Sequence, residues 1–187
     1  MSIEARVLTI AEFQAFANKH ERDTRRFELL DGEIIEMPSN AYSSVVANII
    51  AYLIQHWLIS TGRKGYVSGE GGGYIVNGQV FAPDVAYMRH LPTNKGYEQT
   101  PPLLAVEVIS DPQSSAEQTD LRRKLVHYRQ ANVVVWIVDY VARQVEVHIP
   151  DQPVEVYGDA ESVPGGDVLP EFTLPVKDIF PEETTNA

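Results

Sequence analysis

The stretch LLAVEVISDP, residues 103–112, decides how the rest of the chain is read. Leu104, Val106 and Val108 alternate with Leu103, Ala105 and Ile109, so both faces are apolar, the pattern of a strand buried inside a sheet. Glu107 stands in the middle of it. An ionised carboxylate there costs several kcal/mol unless something positive meets it. The same strand face carries Ala105 and Ile109, which leaves space around the acid.

Working outward from this strand, SDP is a turn sequence, and a helix is expected over roughly 114–130. Leu121, Leu125 and Tyr128 recur at i, i+4 and i+7, the stripe that should lie on the sheet. Lys124 falls inside that stripe. VVVWIVDY then gives a second buried strand, and QVEVHI and VEVY are expected as edge strands. A Pro- and Gly-rich stretch from about 158 closes the fold. On the N-terminal side, residues 89–102 hold Pro92, Gly96, Pro101 and Pro102 and are expected as a loop. GYVSGEGGGYIVNGQVFAPDVAYM carries two or three strands, with Asn77-Gly78 as a hairpin turn. Its glycine run, 71–73, lacks the Lys-Ser/Thr of a phosphate-binding loop and indicates a strand bend or bulge. Val46, Ile49, Ile50, Leu53 and Trp57 mark a strong helix, capped by Ser39 or Asn40 and ended by Gly62. FELLDGEIIEM is a hairpin around Asp31-Gly32, and Thr9 with Glu12 forms a capping box that opens a first short helix. The sum is an α+β fold: a mixed sheet flanked by helices, with an N-terminal hairpin.

With 187 residues, 44% of them hydrophobic, one domain spanning 1–187 is expected, with about 181–187 as a flexible tail. There is no cysteine, which removes thiol chemistry and thiolate metal sites and fits a cytoplasmic protein. No charged-then-apolar leader opens the sequence, so no signal peptide is expected. The apolar window VVANIIAYLIQHWLI contains Asn48, Gln55 and His56 and is short for a membrane span, so no membrane role is expected. Fifteen Lys and Arg face 26 Asp and Glu, for a net charge of -11. A chain this acidic is not a generic nucleic-acid binder. Its bases are concentrated in KHERDTRR (19–26) and LRRKLVHYR (121–129).

Asp84, in FAPDVAYM, follows Pro83 and shares strand parity with Ala82 and Ala86. Two inward carboxylates, Asp84 and Glu107, on separate strands make a donor set suited to a hard divalent cation such as Mg²⁺. Equally, Glu107 could pair with a cation from a helix, and Lys124 is placed to be that counter-ion. The same lysine could act on a phosphate transition state, and the two roles are compatible. His56, His127 and His148 show no metal-ligand spacing, His90 sits in a loop, and Ser110 lies in no nucleophile motif.

Pro83-Asp84, Glu107 in EVIS, Lys124 and Tyr128 in KLVHY, and VVWIVD together resemble the Uma-type putative restriction endonucleases (domain of unknown function 820) of the PD-(D/E)XK nuclease superfamily. The resemblance runs from LTIAEF to LPVKDIF and takes in Glu28 and Glu33 of RRFELLDGEIIEM and Glu70 of SGEGGGYIV. It implies a restriction-endonuclease-like fold and Mg²⁺-dependent hydrolysis of phosphodiesters, with Mn²⁺ able to substitute. Carried onto this chain, Asp84 and Glu107 would hold the metal with the Val108 carbonyl, Lys124 would be the catalytic lysine, and Glu33 the auxiliary acid near the first helix. Glu70 and Tyr128 would be further auxiliary groups. The superfamily lysine sits two residues after the glutamate, where this chain has Ile109, so the resemblance implies a lysine supplied from the helix. Tyr42 stands where the family often has a histidine, and Val134 and Val135 where it has an acid and an aromatic.

The leading expectation is therefore a metal-dependent endonuclease acting on DNA, with Arg122, Arg123, Arg129 and the 19–26 segment offering local positive surface, doubled in a homodimer. Two other readings remain open on sequence: a nuclease fold kept as a binding or regulatory module, and a structural domain in which Glu107 and Lys124 are a buried ion pair.

Overall fold

The computed structural model describes residues 7–20, 25–37 and 40–181. Ser39, residues 21–24 of the basic run and the tail from 182 lie outside the described residues. Three α-helices occur among those described: α1 (Ile10–Lys19), α2 (Ala41–Ser60) and α3 (Ser115–Gln130).

The LAVEV strand is β7 (Leu104–Val108) and is buried along its whole length. It lies inside a six-stranded sheet ordered β10-β9-β8-β7-β6-β3. The other members are β3 (Tyr66–Gly69), β6 (Val85–Met88), β8 (Val134–Asp139), β9 (Gln144–His148) and β10 (Glu155–Gly158). Only β7 and β8 run parallel, joined through α3; every other pairing is antiparallel. The alternation of β7 divides the core as strand geometry requires. Leu104, Val106 and Val108 pack with Val46, Ile50, Ile54 and Leu58 of α2 and with the C-terminal residues Phe172, Leu174, Val176 and Ile179. Ala105 and Ile109 face the other way, into a cluster with Tyr128 of α3 and with Leu30, Val76 and Phe81.

Those last three residues belong to a second sheet. It has the order β2-β1-β5-β4 and contains β1 (Arg26–Leu30), β2 (Glu33–Met37), β4 (Tyr74–Val76) and β5 (Gln79–Phe81). Both expected hairpin turns are present. Asp31 and Gly32 have φ of 52° and 77°, and Asn77 and Gly78 have 47° and 77°, the pair of positive values a type I′ turn needs. Phe27 and Leu29 of β1 pack under Phe13 and Phe16 of α1, which is opened by the Thr9–Glu12 capping box. Arg26, Glu28 and Leu30, on the opposite face, look toward the large sheet and α3.

Four sequence expectations change. The segment 66–88 yields four strands, not two or three, because it serves two sheets: β3 and β6 join the large one, β4 and β5 the small one. The glycine run is the turn where the chain leaves one sheet for the other, with the Gly72 amide donating to the Gly69 carbonyl at 2.9 Å. A side chain at Gly73 would meet the Tyr97 ring at 2.6 Å, so only glycine fits that passage. Strand β9 is interior rather than at an edge, since β10 covers its outer side. The C-terminal stretch adds a further hairpin, β11 (Ser162–Pro164) with β12 (Thr173–Pro175), and a short 3-10 helix (Val176–Ile179).

Helix α2 begins at Asn40, whose side chain accepts the Ser43 amide at 2.8 Å. At 20 residues it is longer than the apolar window suggested and is long and apolar enough to cross a membrane. Here its Val46, Ile50, Ile54 and Leu58 are packed against the sheet.

Candidate active site

Pairing of Val85 with Val106 and of Ala86 with Ala105 fixes the register of β6 on β7. Extended by one residue, it sets Asp84 beside Glu107, within the cross-strand reach of directly opposed side chains. The Val108 amide donates to Asp84 Oδ2 at 2.7 Å. Alanines at 82, 86 and 105 keep the floor around both acids open.

Lys124 and Tyr128, one helical turn apart on α3, project onto this floor together. The lysine Nζ lies 2.7 Å from Glu107 Oε1, and the tyrosine hydroxyl donates to the same oxygen at 2.7 Å. Lys124 also meets both oxygens of Glu28, at 3.0 and 3.1 Å, and lies over the Phe81 ring, 5.3 Å from its centre. Glu28 Oε1 accepts the Ala82 amide at 2.6 Å. Lys124 and Tyr128 thus answer the question posed by Glu107. The cluster joins β1, the β5–β6 connection, β7 and α3, and all its charged members but the half-buried Asp84 are nearly inaccessible.

Its charges do not balance. Glu28, Asp84 and Glu107 surround one ammonium. Burial, reinforced by the Glu107 charge, pushes the Asp84 carboxyl up to about 7 against the Val108 amide and Lys124. Burial also raises Glu28, with Lys124 opposing. For Lys124 burial works against the charged form, but the carboxylates of Glu107 and Glu28 outweigh it and hold the group above its ordinary value. Lys124 is therefore a permanent ammonium, a donor and not a base. Tyr128 is held well above its ordinary value by burial and by Glu107, so it stays a neutral phenol.

Among the described residues, Asp84 Oδ1 and Glu107 Oε2 accept no hydrogen bond, and neither is sealed from the adjoining cavity. That cavity measures about 260 Å³. Its walls are Ile35, Glu36 and Met37 of the hairpin on one side and residues 114–121 at the start of α3 on the other. Two open carboxylate oxygens and excess negative charge are a hard-oxygen donor set that fits Mg²⁺ or Mn²⁺. No three or more His, Asp or Glu among the described residues converge as ligands would, so an ion here would rest on two carboxylates, with backbone, water or substrate completing its shell.

The other residues singled out in the sequence lie elsewhere. Glu33, the first residue of β2, is exposed and pairs with Arg123 at 2.9 Å; Glu28, which faces the pocket, occupies the cluster instead. The Val108 amide is engaged by Asp84, and Val108 borders the cavity. Glu70, in the turn after β3, pairs with Arg26 at 2.5 Å, and Arg26 lines the cavity. Of the helix cations, Arg123 is held by Asp31, Glu33 and Asp120 at 2.9–3.0 Å. Arg129, at the far end of α3, pairs with Asp151 at 2.7 Å, and Arg122 is exposed. Tyr42 packs on Tyr140, whose hydroxyl donates to the Ser110 carbonyl just beyond β7 at 2.8 Å. Val134 and Val135 serve the β7–β8 pairing.

A family model described as Uma2, putative restriction endonuclease, matches residues 10–177. The chain belongs to the Uma2 family. This Uma2 protein is also similar to the crystal structure of a putative nuclease belonging to DUF820 from Anabaena variabilis ATCC 29413. The two superpose with a TM-score of 0.69 over 82% of this chain and 89% of that one, at 22% identity. The likeness supports the nuclease-type fold. No curated protein matches the sequence.

Proposed function

We propose that this Uma2 chain is a metal-dependent phosphodiester hydrolase of the PD-(D/E)XK type, acting on nucleic acid, with DNA as its substrate. The observation that carries the reading is the pairing of Asp84 with Glu107 at the floor of a cavity, each with one oxygen open to it. Membership of a family described as putative restriction endonucleases supports the reaction class. Asp84 and Glu107 would hold Mg²⁺, or Mn²⁺ in its place, and such an ion supplies Lewis-acid polarisation of the phosphate and a more acidic water. Lys124, fixed as an ammonium, would offset charge developing on an anionic oxygen above Glu107. Glu28 and Tyr128 hold that lysine and that glutamate in one orientation.

A second reading has an observation of its own. Lys124 already contacts two carboxylates, as a purely structural buried pair would. Thermal unfolding of wild type, Asp84→Asn and Glu107→Gln, with and without Mn²⁺, separates the two. At a hundredfold excess over Kd a specific site stabilises by about 2.7 kcal/mol. A rise in midpoint confined to wild type supports the hydrolase, and an equal response in all three removes the metal site and the catalytic reading with it.

A further inference from the structure

The carboxylate floor lies at the base of a small cavity. The cavity of about 260 Å³ is smaller than the roughly 300–1,000 Å³ of pockets that take whole drug-sized molecules, and so has room for about one nucleotide. Three of its wall residues, Glu36, Glu117 and Asp120, are acids. Arg26, which lines the cavity, and Arg25 and Arg123, which pair with its wall acids, are already engaged: Arg25 with Glu36 at 3.4 Å, Arg26 with Glu70 at 2.5 Å, and Arg123 with three carboxylates. None of these three offers an unopposed charge to a phosphate. Ile35, Met37, Ala116 and Leu121 add an apolar stretch to the wall, beside Ser110 and Ser114.

A duplex is stiff and carries one charge per roughly 1.7 Å of its axis, so a phosphate presented to the floor would bring its neighbours onto the acidic rim. Binding would require Arg25, Arg26 and Arg123 to exchange their carboxylates for phosphates. A single strand bends freely and delivers one phosphate at a time. Its unpaired base gains contact with the apolar wall, as an extruded base does in other enzyme pockets. Resting on the hydrolase reading above, we propose that the site takes phosphodiesters from unpaired, single-stranded segments of nucleic acid and turns continuous duplex away. Because only one or two phosphates would displace counterions, the affinity should depend weakly on salt, with a log–log slope of about -1.

The test uses the full chain with Mn²⁺ and three substrates: a single-stranded oligodeoxynucleotide, the same sequence as a blunt duplex, and bis(p-nitrophenyl) phosphate. The proposal expects kcat/KM at least about tenfold higher on the single strand, falling about tenfold for a tenfold rise in salt. Equal or faster cleavage of the duplex overturns it, as does a salt slope several times steeper. If the small ester is hydrolysed by wild type and not by Asp84→Asn while duplex is preferred, the hydrolase reading stands and the single-strand proposal falls. If wild type hydrolyses none of the three, both fall.

Discussion

Replacing Asp84 with asparagine should make the metal-free protein more stable, and the gain should depend on pH in a calculable way. Asparagine keeps the side-chain shape and can still accept the Val108 amide, but it carries no charge. In the folded protein the Asp84 carboxyl is raised from 3.8 to about 7, first by burial and then by Glu107. Between these values the native state binds a proton that the unfolded chain does not, so wild-type stability falls as pH climbs from about 4 to about 7 and levels off above. At about 1.4 kcal/mol per tenfold in proton affinity, the full cost is about 4 kcal/mol at pH 8 and under about 2 kcal/mol at pH 5. The difference between Asp84→Asn and wild type should therefore widen by about 2–3 kcal/mol from pH 5 to pH 8. The carboxylate's stronger hydrogen bond to Val108 offsets part of the absolute gain, about 1–2 kcal/mol, but hardly its change with pH. Urea denaturation in a chelating buffer at the two pH values measures it. A mutant less stable than wild type at pH 8, or a difference that does not change with pH, would refute the electrostatic account of the site.

Two further outcomes concern residues of α3. Tyr128→Phe removes one of the two groups on Glu107 Oε1 and should cost about 1–3 kcal/mol of stability in denaturant titrations, the range for a buried hydrogen bond to a charged group. Arg123→Ala should cost no more than about 1 kcal/mol, since its three ion pairs are partly exposed, and it should leave oligonucleotide affinity by fluorescence anisotropy unchanged.

Much of the layering was legible because strand and helix periodicities report burial directly. The parity of β7 assigned Val106 and Val108 to one face and Glu107 to the other, and the α3 stripe turned Lys124 inward, as observed. Glu28 carries the same signal as Glu107, an acid at the centre of an apolar strand, RFELL, on one face with Leu30. Family resemblance drew attention to Glu33, whose position just past the turn leaves it in solvent. The division into two sheets was not legible, because a glycine turn looks alike whether the chain re-enters its own sheet or crosses to another. Nor could charge counting reveal that Arg123 is consumed by carboxylates from a distant hairpin, since those contacts are set by tertiary packing.

The lysine's residence on a helix separates two adjustments that a strand-borne lysine would tie together. On a strand, the spacing between acid and lysine is locked to the pleat, and a slip of one residue would turn both to the wrong face. Here the glutamate follows the register of β7, while the lysine follows the rotation and advance of α3. The connection across residues 110–114 can lengthen or shorten to slide the ammonium over the carboxylates without disturbing a single strand pairing. The depth at which that ammonium sits is thus set through a loop, with the sheet as a fixed frame.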